Sequence, residues 1–253
     1  TIQSRGLGDV YKRQSMYISA KNNTQSVLLC PTEVLAEQHF KNFSAWFKNS
    51  NIKIELLTGK MPVSKRRGIY QDLEDGVIDI LIGTHAVFQD KVKMKNLGLV
   101  VVDEQQRFGV KQRFDLVKKS SDQIMPHQLF MTATPIPRTL AMTIFADLET
   151  SKIDELPPGR KPGETLVYSD KKKDEIVKRL ETVCKSGNQV FWLCTMIEES
   201  ENLDVQAADE AKEWIKENTN GLNIGLVHSK LSKDQRDKAI ENFRSGKTDV
   251  LVC

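Results

Sequence analysis

The 253-residue chain is marked first by what it lacks. No apolar run approaches the ~18–20 residues that a helix needs to cross a bilayer, so a membrane-spanning helix is excluded. The four cysteines, Cys30, Cys184, Cys194 and Cys253, are scattered without a CxxC pair, which argues against a zinc site or a disulfide framework. Three of them lie in or beside apolar segments and are expected as buried free thiols in a reducing cytosol. Neither sign of charge dominates: 37 Lys and Arg stand against 34 Asp and Glu, a net +3. Such a balance permits nucleic-acid binding only through a local basic groove. A phosphate-cradling loop, G-x-x-x-x-G-K-[ST], is also missing. Gly246-Lys247-Thr248 has its last three letters, but position 241 is Glu, and the tripeptide follows a helix and precedes a strand, the reverse of the required order.

What is present is alternation. Thirty-nine per cent hydrophobic and 28% charged residues describe a soluble globular chain. The first fourteen residues fit no period, resemble a peptide that arises when sequencing-adapter DNA is translated, and are set aside as non-native. From Ser15 the pattern predicts the end of a helix at 15–20, a strand at 26–30 and a helix from Glu33 to about Phe47 with Ala36, Phe40, Phe43 and Phe47 on one face. Strands at 52–57, 78–82, 97–102 and 127–131 follow, with helices at 64–73, 108–118 and 138–148. Strand–helix alternation with polar turns after each strand is the signature of a parallel sheet. Residues 155–163 carry three prolines and two glycines and read as a linker. Alternation then restarts: strands at 165–168, 190–194, 224–227 and 249–252, helices at 172–184, 203–218 and 233–243. The reading is therefore α/β: residues 15–154 as one parallel-sheet domain and 164–253 as a second. Both are expected to be incomplete, the first lacking its phosphate loop and the second breaking off inside a strand.

The chemistry concentrates at strand ends. Leu97–Val102 is apolar without a break and stops at Asp103-Glu104. Ligands of parallel sheets collect at the carboxyl ends of strands. An Asp beside a Glu there suits phosphate hydrolysis, one carboxylate holding Mg²⁺ and the other handling the attacking water. A solvated acidic turn is the plainer alternative. Pro31-Thr32-Glu33, Thr58-Gly59, Gly83-Thr84-His85 and Thr132-Ala133-Thr134 end four further strands with small or hydroxylated residues that suit phosphate contacts. Each alone is equally an ordinary cap or turn. Thr132–Arg138 adds two prolines that rigidify its turn.

Together these motifs resemble the superfamily 2 helicase core, over about residues 15–253. Pro31-Thr32-Glu33 corresponds to motif Ia, Thr58-Gly59 to Ib, Gly83-Thr84-His85 to Ic, Asp103-Glu104-Gln105-Gln106 to motif II and Thr132-Ala133-Thr134 to motif III. The extended forms are similar to the branch-migrating DNA helicases of that superfamily: Ala36–Phe40, Asp79–Ala86, Asp103–Val110, Thr132–Arg138, Leu156–Arg160 and Cys194–Ser200. The resemblance implies two RecA-like domains in tandem and an ATP-dependent DNA helicase. Glu104 and Asp103 would be catalytic, with Asp103 holding Mg²⁺ and Glu104 positioning water. Gln105, Gln106, Thr132 and Thr134 would couple nucleotide state to DNA, with Arg138 supporting them. Pro31, Thr32, Gly59, Gly83, Thr84 and His85, and in the second domain Thr195, His228 and Ser229, would contact DNA. Such contacts to phosphates imply sequence-independent binding of branched or double-stranded DNA by a monomer in the bacterial cytoplasm. Gln106 departs from the family, which usually has His there. Motifs V and VI and the wedge domain that engages branched DNA are not found. Two alternatives stand beside this one: a transcription-repair coupling factor type of translocase, and a nucleic-acid-binding scaffold without hydrolysis.

Overall fold

A computed structural model describes residues 7–104, 108, 125–132, 149, 151, 153, 159, 163–194, 201–228 and 230–253. The chain divides into two compact units, residues 1–161 and 162–253.

In the first unit, β1 (Gln25–Leu29), β2 (Ile54–Leu57), β3 (Ile80–Gly83), β4 (Leu97–Val102) and β5 (His127–Phe130) form one parallel sheet of order β2-β3-β1-β4-β5. Every residue of β1 and β3 is buried, because successive side chains enter opposite core layers. Val27, Leu29, Leu81, Val100 and Val102 point to the layer that receives Ile69 and Leu73 of α3 (Val63–Glu74). Leu28, Ile80, Ile82, Leu99 and Val101 point to the other, covered by Ala36 and Phe43 of α2 (Glu33–Trp46) and Met16 of α1 (Leu7–Lys21). The Gln25 side chain pins the amino end of the sheet: its amide donates to the carbonyls of Leu73 and Ile78, and its oxygen accepts from Asn96 N–H.

Gly83 is where β3 passes closest to its neighbours. A Cβ there would lie 2.6 Å from both the Leu57 carbonyl oxygen and Val87 Cγ2, so only glycine fits. A single turn of 3₁₀ helix, His85–Phe88, follows at once and redirects the chain.

The second unit holds a parallel three-stranded sheet of order β6-β8-β7, with β6 Val190–Trp192, β7 Ile224–Leu226 and β8 Val250–Val252. Its core joins Val250 and Val252 to Val177 and Leu180 of α4 (Lys173–Lys185) and to Ala208, Ala211 and Ile215 of α5 (Glu201–Asn218). The last helix, α6 (Lys233–Arg244), opens with a reciprocal cap between Ser232 and Gln235.

Three expectations need correcting. Helix α1 begins at Leu7, so part of the stretch set aside from the fold is helical, with an acidic Asp9 in its first turn. Residues 165–168 form no strand: Leu166, Val167 and Tyr168 are exposed, and strand-forming side chains without burial do not make a strand. Of the cysteines only Cys30 is buried; Cys184, Cys194 and Cys253 are half-buried, and all four are free thiols. The helices expected at 108–118 and 138–148 lie outside the described residues, except Phe108.

Candidate active site at the carboxyl edge of the first sheet

Strand register brings the predicted residues of the first unit to one edge. Leu57, Gly83, Leu29, Val102 and Phe130 are paired across the five strands, so all five end level. Beyond them, from one side of the sheet to the other, lie Gly59, then Thr84 and His85, then Pro31 and Thr32, then Asp103 and Glu104, then Thr132. Strand spacing of about 4.8 Å separates neighbouring strands, so the ends of β2 and β4 stand roughly 14 Å apart.

Asp103 is held at both ends. Its N–H donates to the Leu29 carbonyl at 3.0 Å, extending the β4–β1 ladder by one rung. Its Oδ2 accepts from Lys12 Nζ at 2.7 Å and from His39 Nε2 at 3.2 Å. The Lys12 ammonium also pairs with Asp9 at 2.9 Å. Side-chain exposure is only 6% for Lys12 and His39 and 15% for Asp103, so the cluster is shielded from screening by solvent. Burial pushes the Asp103 carboxyl up; the His39 hydrogen bond and the Lys12 charge outweigh it, and Asp103 titrates below its ordinary value. Burial likewise pushes Lys12 down, but the Asp103 carboxylate and the hydrogen bonds to Asp103 and Asp9 hold its pKa above the ordinary value. The Cys30 thiol, next along the β1 end, is pushed up to about 12 by burial first and then by the Asp103 charge.

Glu104 follows with φ of 51°, a left-handed conformation that a glutamate adopts only under constraint. Thr132 is half-buried two residues beyond β5, and Met131 N–H donates to the Val102 carbonyl, which ties the Thr132 turn to the carboxylate turn.

The remaining turns differ in what they present. The Thr32 hydroxyl caps α2, accepting from Leu35 N–H at 3.3 Å, and the residue is exposed. Pro31 is half-buried and Gly59 is exposed. Thr84 is buried, and its N–H already donates to the Leu57 carbonyl. The exposed group at that turn is His85, whose ring lies 5.5 Å from Phe108 and 6.0 Å from Phe88. In the second unit His228 is half-buried, and its Nδ1 is one of two buried side-chain nitrogens without a hydrogen-bond partner among the described residues. Gln105, Gln106, Thr134, Arg138, Thr195 and Ser229 lie outside the described residues.

Sequence reasoning missed two residues that contact Asp103 in this chain. His39 sits between Ala36 and Phe43 on the face of α2 that packs on the sheet; its signals were a histidine on an apolar helix face and its place in the Ala36–Phe40 motif. Lys12 falls in the stretch that had been set aside. No group of three or more His, Cys, Asp or Glu capable of holding a metal occurs among the described residues. A single carboxylate is nonetheless what Mg²⁺ uses when phosphate oxygens and water complete its shell. The Lys12 ammonium against Asp103 shows that this carboxylate accepts a cation at close range.

Two parallel α/β units in tandem, the first with an acidic pair at a strand end amid hydroxylated turns, define the class: a RecA-like helicase core. Residues 10–143 match the model of the DEAD/DEAH box helicases, and residues 163–253 match the helicase conserved C-terminal domain. The chain belongs to the DEAD/DEAH box helicase family. Within it, the sequence is 46% identical over 234 residues to the ATP-dependent DNA helicase RecG of Haemophilus influenzae, covering 92% of this chain and 34% of that protein. It is 44% identical over 232 residues to RecG of Aquifex aeolicus, covering 92% of this chain and 29% of that protein. A solved structure of RecG bound to a three-way DNA junction superposes with a TM-score of 0.69 at 32% identity, over 96% of this chain and 31% of that one. Yeast Dbp5 bound to RNA and ADP BeF3, at 15% identity and a TM-score of 0.60, shares the fold over 96% of this chain and 62% of its own. The chain spans about a third of the length of the curated relatives it matches.

Proposed function

We propose that the chain is the motor portion of an ATP-dependent DNA helicase that couples ATP hydrolysis to branch migration and remodelling of stalled forks and recombination intermediates. The observation that carries this reading is the Asp103–Glu104 turn at the end of β4: one carboxylate half-buried, ionised and locked to the sheet, the next on a left-handed backbone. Similarity to RecG proteins over nine-tenths of the chain supports the choice of DNA as partner.

In this reading Asp103 holds Mg²⁺, which neutralises charge on the triphosphate when bound. Glu104 accepts the proton of the attacking water and orients it in line with the scissile bond. Thr132 and Thr134, with Gln105, Gln106 and Arg138, report the state of the nucleotide to the rest of the edge. Pro31, Thr32, Gly59, Gly83, Thr84 and His85 belong to the turns that meet the DNA backbone in this reading, joined by Thr195, His228 and Ser229 of the second unit. Since the Thr32 hydroxyl caps α2 and the Thr84 N–H is already bonded, the exposed His85 ring and the exposed turn backbone at Gly59 are the groups best placed to reach phosphate. The protein acts as a monomer in the bacterial cytoplasm, with 15–154 and 164–253 as its two domains, residues 155–163 as their linker and residues 1–14 as a non-native stretch. No described helix is long and apolar enough to cross a membrane.

The test is Glu104→Gln in a full-length parent. ATP turnover should fall by at least about 10²-fold, the scale of general-base catalysis, with ATP and DNA binding retained. Undiminished turnover would refute the assignment of the base. The 253-residue chain itself, lacking a G-x-x-x-x-G-K-[ST] loop, should show no DNA-stimulated ATPase.

A further inference from the structure

We infer that His39 is a positioning residue for cation binding: its Nε2–H clamps Oδ2 of Asp103 so that the carboxylate presents its other oxygen to Mg²⁺. The inference rests on the reading of Asp103 as the cation ligand and adds a residue to it.

The argument starts from α2. Ala36, His39 and Phe43 follow at three- and four-residue steps and form its buried face. His39 is the one polar residue of those three, and it is only 4% exposed. A polar ring in that place is tolerated only with a hydrogen-bond partner. Its partner is a residue 64 positions away, Asp103, at 3.2 Å. An ionised carboxylate can only accept, so Nε2 carries the proton in this pair. The ring is not free to turn away: it meets Phe43 edge-on, with centroids 6.4 Å apart and planes at 83°. The helix that carries it is fixed at its start by the Thr32 cap and along its length by the core.

Among the described residues, both side-chain partners of Asp103 contact Oδ2. They differ in kind. Lys12 is a flexible stem ending in a cation, and an incoming cation can take over its electrostatic role. His39 is a ring N–H donor on a rigid helix, and a cation at the other oxygen leaves its hydrogen bond to Oδ2 in place. With the Asp103 backbone also tied to Leu29, the side chain is held from both ends. Hydrogen bonds to a ligating carboxylate are the usual means of orienting it, and losing one costs about 10–100-fold in metal affinity.

The experiment is a Mn²⁺ titration of a full-length parent with a non-hydrolysable ATP analogue bound, read as loss of the free-ion EPR signal, with circular dichroism to confirm folding. The variants are H39Q, H39N, H39L and D103N. Glutamine places an amide N–H near the position of the imidazole Nε2–H, whereas the asparagine amide is too short to reach Asp103. Mn²⁺ affinity should fall about 10–100-fold in H39N and H39L and recover most of its value in H39Q. If H39L does not fold, the Gln–Asn pair alone decides. Unchanged affinity in H39N, or equal loss in H39N and H39Q, would overturn the positioning role while D103N still abolishes binding. Wild-type affinity in D103N, or no Mn²⁺ uptake by the unaltered, nucleotide-bound parent, would instead overturn the reading of Asp103 as the ligand.

Discussion

The Lys12–Asp103 pair joins the first helix to the end of the central strand, and removing it should measure that joint. At 2.7 Å and an effective dielectric of about 20, the gross attraction is about 6 kcal/mol. Desolvation of two groups exposed by only 6% and 15% cancels much of this. Breaking a buried pair from one side typically costs about 3–5 kcal/mol. Here each survivor keeps a second partner, Asp9 for Lys12 and His39 for Asp103, so about 2–3 kcal/mol is expected for Lys12→Met or Asp103→Asn. In a double-mutant cycle the coupling energy should be about 1.5–3 kcal/mol. The assay is urea unfolding of the first unit followed by Trp46 fluorescence in a background with Trp192→Phe and Trp214→Phe. Trp46 of α2 is well placed, because the guanidinium of Arg13, next to Lys12 on α1, lies 4.8 Å over its ring. The pH dependence carries a sign. Asp103 titrates lower in the folded protein than its unfolded value of about 3.9, so its contribution is full above that value and lost as pH falls through the folded pKa. Lys12 titrates higher in the folded protein than its unfolded value of about 10.4, so its contribution is full below that and lost as pH rises through the folded pKa. The coupling should therefore be flat from about pH 5 to 10 and vanish in acid. A coupling below about 0.5 kcal/mol at pH 7 would show that the first helix does not dock through this pair.

Three further outcomes are expected. Gly83→Ala should destabilise the first unit by about 2–3 kcal/mol, because the added methyl meets the Leu57 carbonyl and Val87 at 2.6 Å; a shift under about 0.5 kcal/mol in urea would refute the close approach. Glu104→Gly should raise stability by about 1 kcal/mol by relieving the left-handed backbone while abolishing hydrolysis in a full-length parent, an opposition that thermal melts and ATPase rates read together. Cys30, with its thiol pushed up to about 12, should resist iodoacetamide at pH 8 in the folded chain while the half-buried Cys184, Cys194 and Cys253 react; rapid labelling of Cys30 by mass spectrometry would contradict its burial.

The amino-acid sequence by itself determined the elements and their chemistry wherever periodicity and punctuation agree. Unbroken apolar runs such as Leu97–Val102 announce strands buried on both faces, and the turns that stop them carry the hydroxylated and acidic residues. The motif series was enough to name the superfamily, because its residue types recur at fixed places along a parallel sheet. Local pattern failed where the deciding partner is remote. Leu166, Val167 and Tyr168 have strand-forming side chains, but no strand lies beside them among the described residues and they stay exposed. Residues 7–14 have no strong hydrophobic period, yet they form the start of α1, with Lys12 and Asp9 engaged in the Asp103 cluster. Only the tertiary structure decided the make-up of that cluster. Strand order, set by long-range pairing, placed Asp103 beside the β1 end and α2, and so gave His39 and Lys12, 64 and 91 residues away, one oxygen to share. Hydrophobic spacing shows that His39 faces the core, but not what it meets there, because a helix pattern specifies a direction and the sheet beneath it supplies the partner.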